Sequence, residues 1–273
     1  GDGSYKLADG SVNPKGGPRD GMIRTKADLD WVAAMMAAGY TFNNNLKNIG
    51  SNGSNLWYGD LIMDDVNGDG KYGNDDDREF TGKSSTPKVT LGLNITAAWR
   101  GFDLNMTWSG RFGGYHYLNS KGANGSMITN VGDALPGDAW DKFYFYDSEA
   151  SHAGIIKDEN GTIIGSSYDP ATDPNANISN EYPRLLTSGG TTPSNTFYLY
   201  NTSFFKLKSL QIGYTLPKKW IAPAKISNLR VFVSGENLLT IKSSRFPGVD
   251  PELGSSLAVY PIARMFSGGL SVT

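Results

Sequence analysis

From Val89 to Trp99 the chain alternates. Val89, Leu91, Leu93, Ile95, Ala97 and Trp99 take one side, and Thr90, Gly92, Asn94, Thr96 and Ala98 take the other. After Arg100-Gly101 the alternation resumes on even numbers, with Phe102, Leu104, Met106 and Trp108 against Asp103, Asn105, Thr107, Ser109 and Arg111. Successive side chains of a strand point to opposite faces, so the pattern predicts two long antiparallel strands joined by a two-residue turn, with one apolar and one polar face. Each strand exceeds ten residues, against a usual ~5–6. Two environments suit such a hairpin. A soluble sandwich buries the apolar face against a second sheet, and an outer-membrane barrel turns it to lipid and keeps the polar face in the lumen. Trp99 and Phe102 flank the turn, where an interfacial aromatic belt would lie, which favours the barrel.

Three further strands are predicted near the end. Leu210, Ile212, Tyr214 and Leu216 alternate, but Phe205 and Leu207 are out of phase with them, so a β-bulge is expected near Lys208-Ser209. Leu229, Val231, Val233 and Gly235 share one face of the next strand, with Arg230, Phe232, Ser234 and Glu236 on the other; Phe266, Leu270 and Val272 share one face of the last. The expected organisation is a loop region 1–85, a barrel hairpin 86–115, a long loop 116–202 and three closing strands 203–273. Residues 116–202 show no periodicity and read as a functional loop or lid. His116 and His152 have no nucleophile or carboxylate pattern around them and read as surface loop residues. One helix is predicted over 26–38: Thr25 and Asp28 form a capping box, Leu29, Val32 and Met36 recur on one face, and Gly39 stops it. It reads as a surface helix packed on a loop region.

Within the first region, Asp65, Asn67 and Asp69 place oxygens at positions 1, 3 and 5 of a loop with Gly70 at position 6. That spacing suits calcium: alternate side chains converge on a hard cation and the glycine permits the turn. Lys71 would contribute its carbonyl at position 7, and Asp76 stands at position 12, with Asp75 and Asp77 as competitors. The flanks are not helical, so the ion would staple a loop and not open a helix pair. The same residues also make a solvated acidic turn.

Composition narrows the classes. Twenty-five Lys+Arg against 27 Asp+Glu, with a pI near 5.7, argue against a nucleic-acid binder. No cysteine means no disulfide, thiolate metal site or thiol nucleophile. No run of about 18 apolar residues could form a membrane helix. The first residues do not read as a signal peptide, so the chain is expected to be cytosolic or a mature or internal piece of an exported protein. Thirty-four glycines and 12% aromatics fit a turn-rich β protein, an outer-membrane barrel included.

The segments GDLIMDDVNGDGKYGNDDDREFTG, PKVTLGLNITAAWRGFDLNMTWSGRFGG, NEYPRLLTS, SFFKLKSLQIGYTLPKKW, NLRVFVSGENLLTI, PGVDPE and YPIARMFSGGLSVT follow in one order. That order resembles the C-terminal quarter of SusC/RagA-family TonB-dependent outer-membrane transporters, over residues 55–273. The resemblance implies the C-terminal section of a plugged, 22-stranded type of barrel in the bacterial outer membrane, all-β and antiparallel, with long extracellular loops and one short loop helix. It implies import of glycan fragments or oligopeptides, a SusD-like surface lipoprotein as partner, and energy from the TonB-ExbB-ExbD complex acting through the family's N-terminal part. Calcium is the expected cofactor, lipid the surroundings, and no catalysis is expected. With the last strand ending in the periplasm, strand parity puts the short connections Arg100-Gly101 and Pro217–Asn228 inside and the long loops outside.

The polar faces then nominate Lys88, Asn94, Asp103, Asn105, Arg111, Arg230 and Glu236 as lumen residues that line the solute path or contact the plug. Trp140, Phe143, Tyr144 and Tyr146 could stack on sugar rings or pack beneath the loop. The rival readings are a soluble, calcium-stabilised extracellular β-sandwich that binds carbohydrate, and a dockerin-type module, which would need a second calcium loop that the chain lacks.

Overall fold

The computed structural model of the chain describes residues 1–43, 45–117, 143–178, 182–184, 195–246, 250–253 and 262–273. It divides into two compact units: Gly1–Thr81 with Asn119–Tyr198, and Gly82–Leu118 with Leu199–Thr273.

The second unit carries the alternating sequences. The strands β3 (Val89–Trp99), β4 (Phe102–Phe112), β11 (Phe204–Thr215), β12 (Leu229–Lys242) and β13 (Met265–Val272) form one antiparallel sheet in the order β13-β12-β11-β4-β3. Short strands β5 (Tyr115–Tyr117) and β10 (Leu199–Asn201) pair with each other. His116 therefore lies in a strand opposite Tyr200, and is not the loop residue expected from sequence. Trp99 stands opposite Phe102, and the turn residues Arg100 and Gly101 both have positive φ, 48° and 87°. Two left-handed residues give the turn the twist that long strands need.

Register aligns the apolar residues across the sheet. Leu93 faces Trp108, Ile95 faces Met106, Met106 faces Leu210, Leu104 faces Ile212, Ile212 faces Val233, and Val231 faces Leu270. The expected bulge is present: the β11 register shifts between Leu207 and Ser209 on both neighbours. One extra residue lets Leu207 and Leu210 share a face despite their odd and even numbers. Leu93 is 42% exposed, Val233 59% and Leu270 68%. Among the described residues of this unit no second sheet covers that face, as a sandwich would require.

The first unit has a core of its own. Helix α1 (Lys26–Ala37) starts at the Thr25–Asp28 capping box and buries Leu29, Trp31, Val32 and Met35. Met35, not Met36, completes the buried face and Trp31 widens it, while Asp30, Ala34 and Ala37 stay exposed, as a surface helix packed on this unit requires. The unit also holds the parallel pair β1 (Thr41–Phe42) and β2 (Lys71–Tyr72), β6 (Phe143–Tyr144) parallel to β9 (Tyr182–Arg184), helix α2 (Ser148–Ala153), and the hairpin β7 (Ile155–Lys157)–β8 (Ile163–Ser166). Rings of Trp31, Phe42 and Tyr72 meet at 4.8–6.3 Å. The Trp57 indole donates to Ser151 Oγ at 2.8 Å and the Tyr58 hydroxyl to the Tyr168 carbonyl at 2.6 Å. The described residues 143–178 and 182–184 are thus built into one body with residues 1–81, where sequence suggested two separate loop regions.

Candidate functional site on the polar face of the sheet

The polar face of the sheet holds an ion pair spanning three strands. Arg230 on β12 reaches across β11 to Asp103 on β4, donating from Nε at 2.9 Å and from Nη2 at 2.5 Å, with Gln211 Oε1 accepting from Nη2 at 3.1 Å. Gly213 lies beneath the bridge: a Cβ there would sit 2.4 Å from the guanidinium and 2.5 Å from the carboxylate. The glycine is needed for clearance, because any side chain would displace the fork. Asp103 and Arg230, chosen from alternation alone, are therefore joined. Arg111 and Glu236 are exposed on the same face, opposite Thr90 and Ser209 respectively, and are not part of this pair. Thr96 Oγ1 and Asn105 Oδ1 make a cross-strand hydrogen bond at 3.1 Å.

A second cluster escaped the sequence reading. Lys206 on β11 is fully buried and ion-paired to Asp250 and, at 3.0 Å, to Glu252; Lys208 reaches the two Glu252 oxygens at 2.7 and 2.5 Å. Lys206 and Lys208 stand two residues apart and both reach Glu252. Two cations and two anions balance, which is what permits a buried ammonium. The available signals were the phase break around KLK and the two acids of DPE.

Partial burial opposes charge on Glu252, but the hydrogen bonds from Lys208 and Lys206 outweigh it and lower its pKa below the usual carboxylate value. A lowered folded-state pKa means that the contribution is present above the unfolded pKa and is lost as pH falls through the folded one. Protease sensitivity around residues 250–253 is therefore expected to stay low at neutral pH and to rise below about pH 4. Lys206→Met is expected to raise it already at neutral pH. Identical digestion at both pH values would contradict this anchoring.

In the first unit, Asp60 and Arg184 form a buried pair, each side chain 5% exposed. Arg184 donates from Nε at 2.8 Å and Nη2 at 2.7 Å to the carboxylate, and from Nη1 to the Ser51 carbonyl at 2.9 Å; the Trp57 N–H donates to Asp60 at 2.8 Å. Burial opposes charge on Arg184, and Asp60 outweighs it, so the guanidinium pKa is raised. Phe143 and Tyr144 are 4% and 3% exposed. Phe143 packs on Tyr182 at 5.2 Å, and the Tyr144 hydroxyl donates to the Arg24 carbonyl at 2.6 Å. Neither is available to a sugar ring, so of the two roles considered for them, stacking and packing, the structure shows packing. Burial also raises the Tyr144 pKa, keeping the phenol neutral. Tyr146 is half-buried with its hydroxyl 3.4 Å from Arg184 Nη1. It lines a shallow hollow with Ser51, Glu149 and the exposed His152. Trp140 lies outside the described residues.

The Asp65–Asp77 loop is organised by side-chain oxygens accepting main-chain N–H groups. Asp65 accepts from Gly68, Asp69 and Gly70 at 2.7, 3.1 and 2.9 Å, Asn67 from Asp69 at 2.9 Å, and Asp69 from Lys71 at 2.8 Å. Asp77, not Asp76, closes it, accepting from Val66 and Gly73 at 2.8 Å each and from Asn74 at 3.1 Å. Asp76 contributes a main-chain N–H to Asn74. Among the described residues no three His, Asp or Glu side chains converge on a common metal position.

No family model matches the chain. TonB-dependent receptor P3 of Formosa agariphila is 25% identical over 228 residues, which cover 78% of this chain and 19% of that protein. Among solved structures, the RagAB peptide importer in its closed-closed state aligns with 78% of this chain and 21% of its own at 22% identity, with a TM-score of 0.50. Its open-open state aligns with 78% of this chain and 20% of its own at 21% identity, with a TM-score of 0.47. The chain thus spans about one fifth of the length of the relatives it matches, and its sheet fits a partial outer-membrane β-barrel.

Proposed function

From the premise that this chain is a section of a SusC/RagA-type TonB-dependent receptor, we propose that the full-length protein imports short oligopeptides or glycan fragments across a bacterial outer membrane. Oligopeptides come first, because RagAB, whose fold the sheet shares, is a peptide importer. A SusD-like lipoprotein would cap the barrel and TonB-ExbB-ExbD would energise it. The reading is of a transporter wall and not of an enzyme. One observation carries it: the sheet has an uncovered apolar face and an opposite face of charged and amide groups, the construction of a wall between lipid and a watery lumen. In that wall Asp103, Arg230 and Gln211 contact plug or solute, with Arg111 and Glu236 beside the path.

The test uses the full-length protein purified from its own outer membrane. A surface lipoprotein is expected to copurify, and the pair is expected to bind labelled oligopeptides and take them up only while the proton motive force is maintained. Glycan binding alone would move the substrate class. Neither binding nor uptake of either cargo would overturn the transport reading.

Calcium in the Asp65–Asp77 loop is proposed on spacing alone. Asp65, Asn67, Asp69 and the Lys71 carbonyl would hold it, with Asp76 or Asp77 closing, and the ion would staple the loop. Asp65 Oδ2, Asn67 Oδ1 and Asp69 Oδ1 each accept one main-chain N–H and keep a second acceptor position, whereas Asp65 Oδ1 and both Asp77 oxygens already accept two. Millimolar calcium is expected to protect residues 60–85 from protease, with reversal by EGTA. Digestion insensitive to both would remove calcium and leave a hydrogen-bonded turn.

A further inference from the structure

One end of the five-stranded sheet is both basic and aromatic. The Arg100-Gly101 turn, the connection after β11 and the chain's last residue meet there. Thr215 N–H donates to Gly101 at 2.8 Å, Leu216 N–H to Leu229 at 2.9 Å, and the Ser227 and Asn228 N–H groups to Thr273 at 2.8 and 3.0 Å. The connection contains helix α3 (Lys218–Ile221), which turns Ile221 inward, 4% exposed, and leaves Lys218, Lys219 and Trp220 outside.

Arg100, Lys218, Lys219 and Lys225 are all exposed at this end. No Asp or Glu occurs between Ala97 and Phe102 or between Thr215 and Leu229, although the chain as a whole has slightly more acids than bases. The next acid, Asp103, is already committed to Arg230. Four cations therefore stand on segments that carry no Asp or Glu of their own. Beside them Trp99 is 69% exposed, Trp220 62% and Phe102 53%. The Arg100 guanidinium lies 4.9 Å over the Trp99 ring. The Trp99–Phe102 pair ends the exposed apolar band, so that band runs directly into the basic end.

An apolar band, then indole and phenyl rings, then cations is the order of chemistry met when passing from acyl chains to phosphates. We propose that this end of the sheet binds the headgroups of anionic phospholipids, its cations on the phosphates and its rings at the acyl boundary. The proposal rests on the barrel reading. An acidic protein surface would match the cations, but it would leave the adjoining apolar band without a partner.

The full-length protein would be placed in nanodiscs of mixed phosphatidylglycerol and phosphatidylcholine, extracted mildly, and its retained lipids weighed by native mass spectrometry. Phosphatidylglycerol is expected to be enriched over phosphatidylcholine. Changing Arg100, Lys218, Lys219 and Lys225 together to Gln should cut that enrichment by at least about fivefold, the pull of a single surface cation on an anionic bilayer. The charge-preserving set R100K, K218R, K219R and K225R should keep it. Heat-modifiable electrophoretic mobility checks that each variant is folded; should the fourfold Gln variant not fold, K218Q with K219Q on the exposed helix makes the same measurement. Equal retention of both lipids by the natural protein, or enrichment unchanged by the Gln changes, overturns the proposal. A full-length protein that is monodisperse without detergent would overturn the barrel reading itself. Lost headgroup preference in a protein that still assembles in bilayers defeats only the lipid site.

Discussion

Leu93→Arg is expected to block membrane assembly of the full-length barrel, at a cost of about 2–4 kcal/mol, whereas Asn94→Arg should assemble almost normally. The two residues are neighbours on β3, away from both strand ends. Leu93 pairs with Trp108 on the uncovered apolar face, and Asn94 pairs with Thr107 on the polar one. In water both arginines would be solvated and nearly neutral. In a barrel, the first must take its charge into hydrocarbon, and the second enters a polar lumen. The measurement is heat-modifiable mobility together with the amount recovered from the outer-membrane fraction. Equal behaviour of the two variants would reject the assignment of faces, and with it the distinction between a lipid-facing sheet and half of a soluble sandwich.

Arg184→Met should destabilise the first unit by about 3–5 kcal/mol, because it leaves the Asp60 carboxylate buried with only main-chain help. Asp60→Leu combined with Arg184→Met should recover much of that loss, since no charge then stays in the interior. Arg184 also donates to the Ser51 and Asn55 carbonyls, so recovery is expected to be incomplete. Hydrogen exchange of residues 20–62 in the full-length protein reads the outcome. A single variant with unchanged protection, or a double variant worse than Arg184→Met, would show that the pair does not hold this unit together.

Much of the sheet was legible because its determinants are local. Period-two alternation marks strands and faces, the phase slip between Leu207 and Leu210 marks the bulge, and Arg100-Gly101 marks the turn. The same locality made the Thr25 capping box readable. It was less good at choosing between adjacent residues of one kind: Met35 took the place expected for Met36. A helix face depends on an angle that one residue of shift alters, and composition is blind to that shift.

The ion pairs between distant residues were the hardest to foresee. Asp60 and Arg184 in the first unit are 124 residues apart, and Lys206 and Asp250 in the second are 44 apart. The stretches around Asp60 and Arg184 do not announce each other, and the phase break at KLK marks an irregularity without naming the acids that answer it. Aromatic side chains in an aperiodic, turn-rich segment look the same whether they await a ligand or fill a core, which is why sequence left stacking and packing open for Phe143 and Tyr144 and burial decided for packing.

By itself the amino-acid order determined the secondary elements, their faces and the likeness to a transporter barrel, because strand periodicity, capping and turn chemistry act over a few residues. Only the tertiary structure decided which charges lie together, which rings are buried, and that residues distant along the chain share the core of the first unit. Burial and ion pairing belong to neighbours in space, and a chain read in order does not list them.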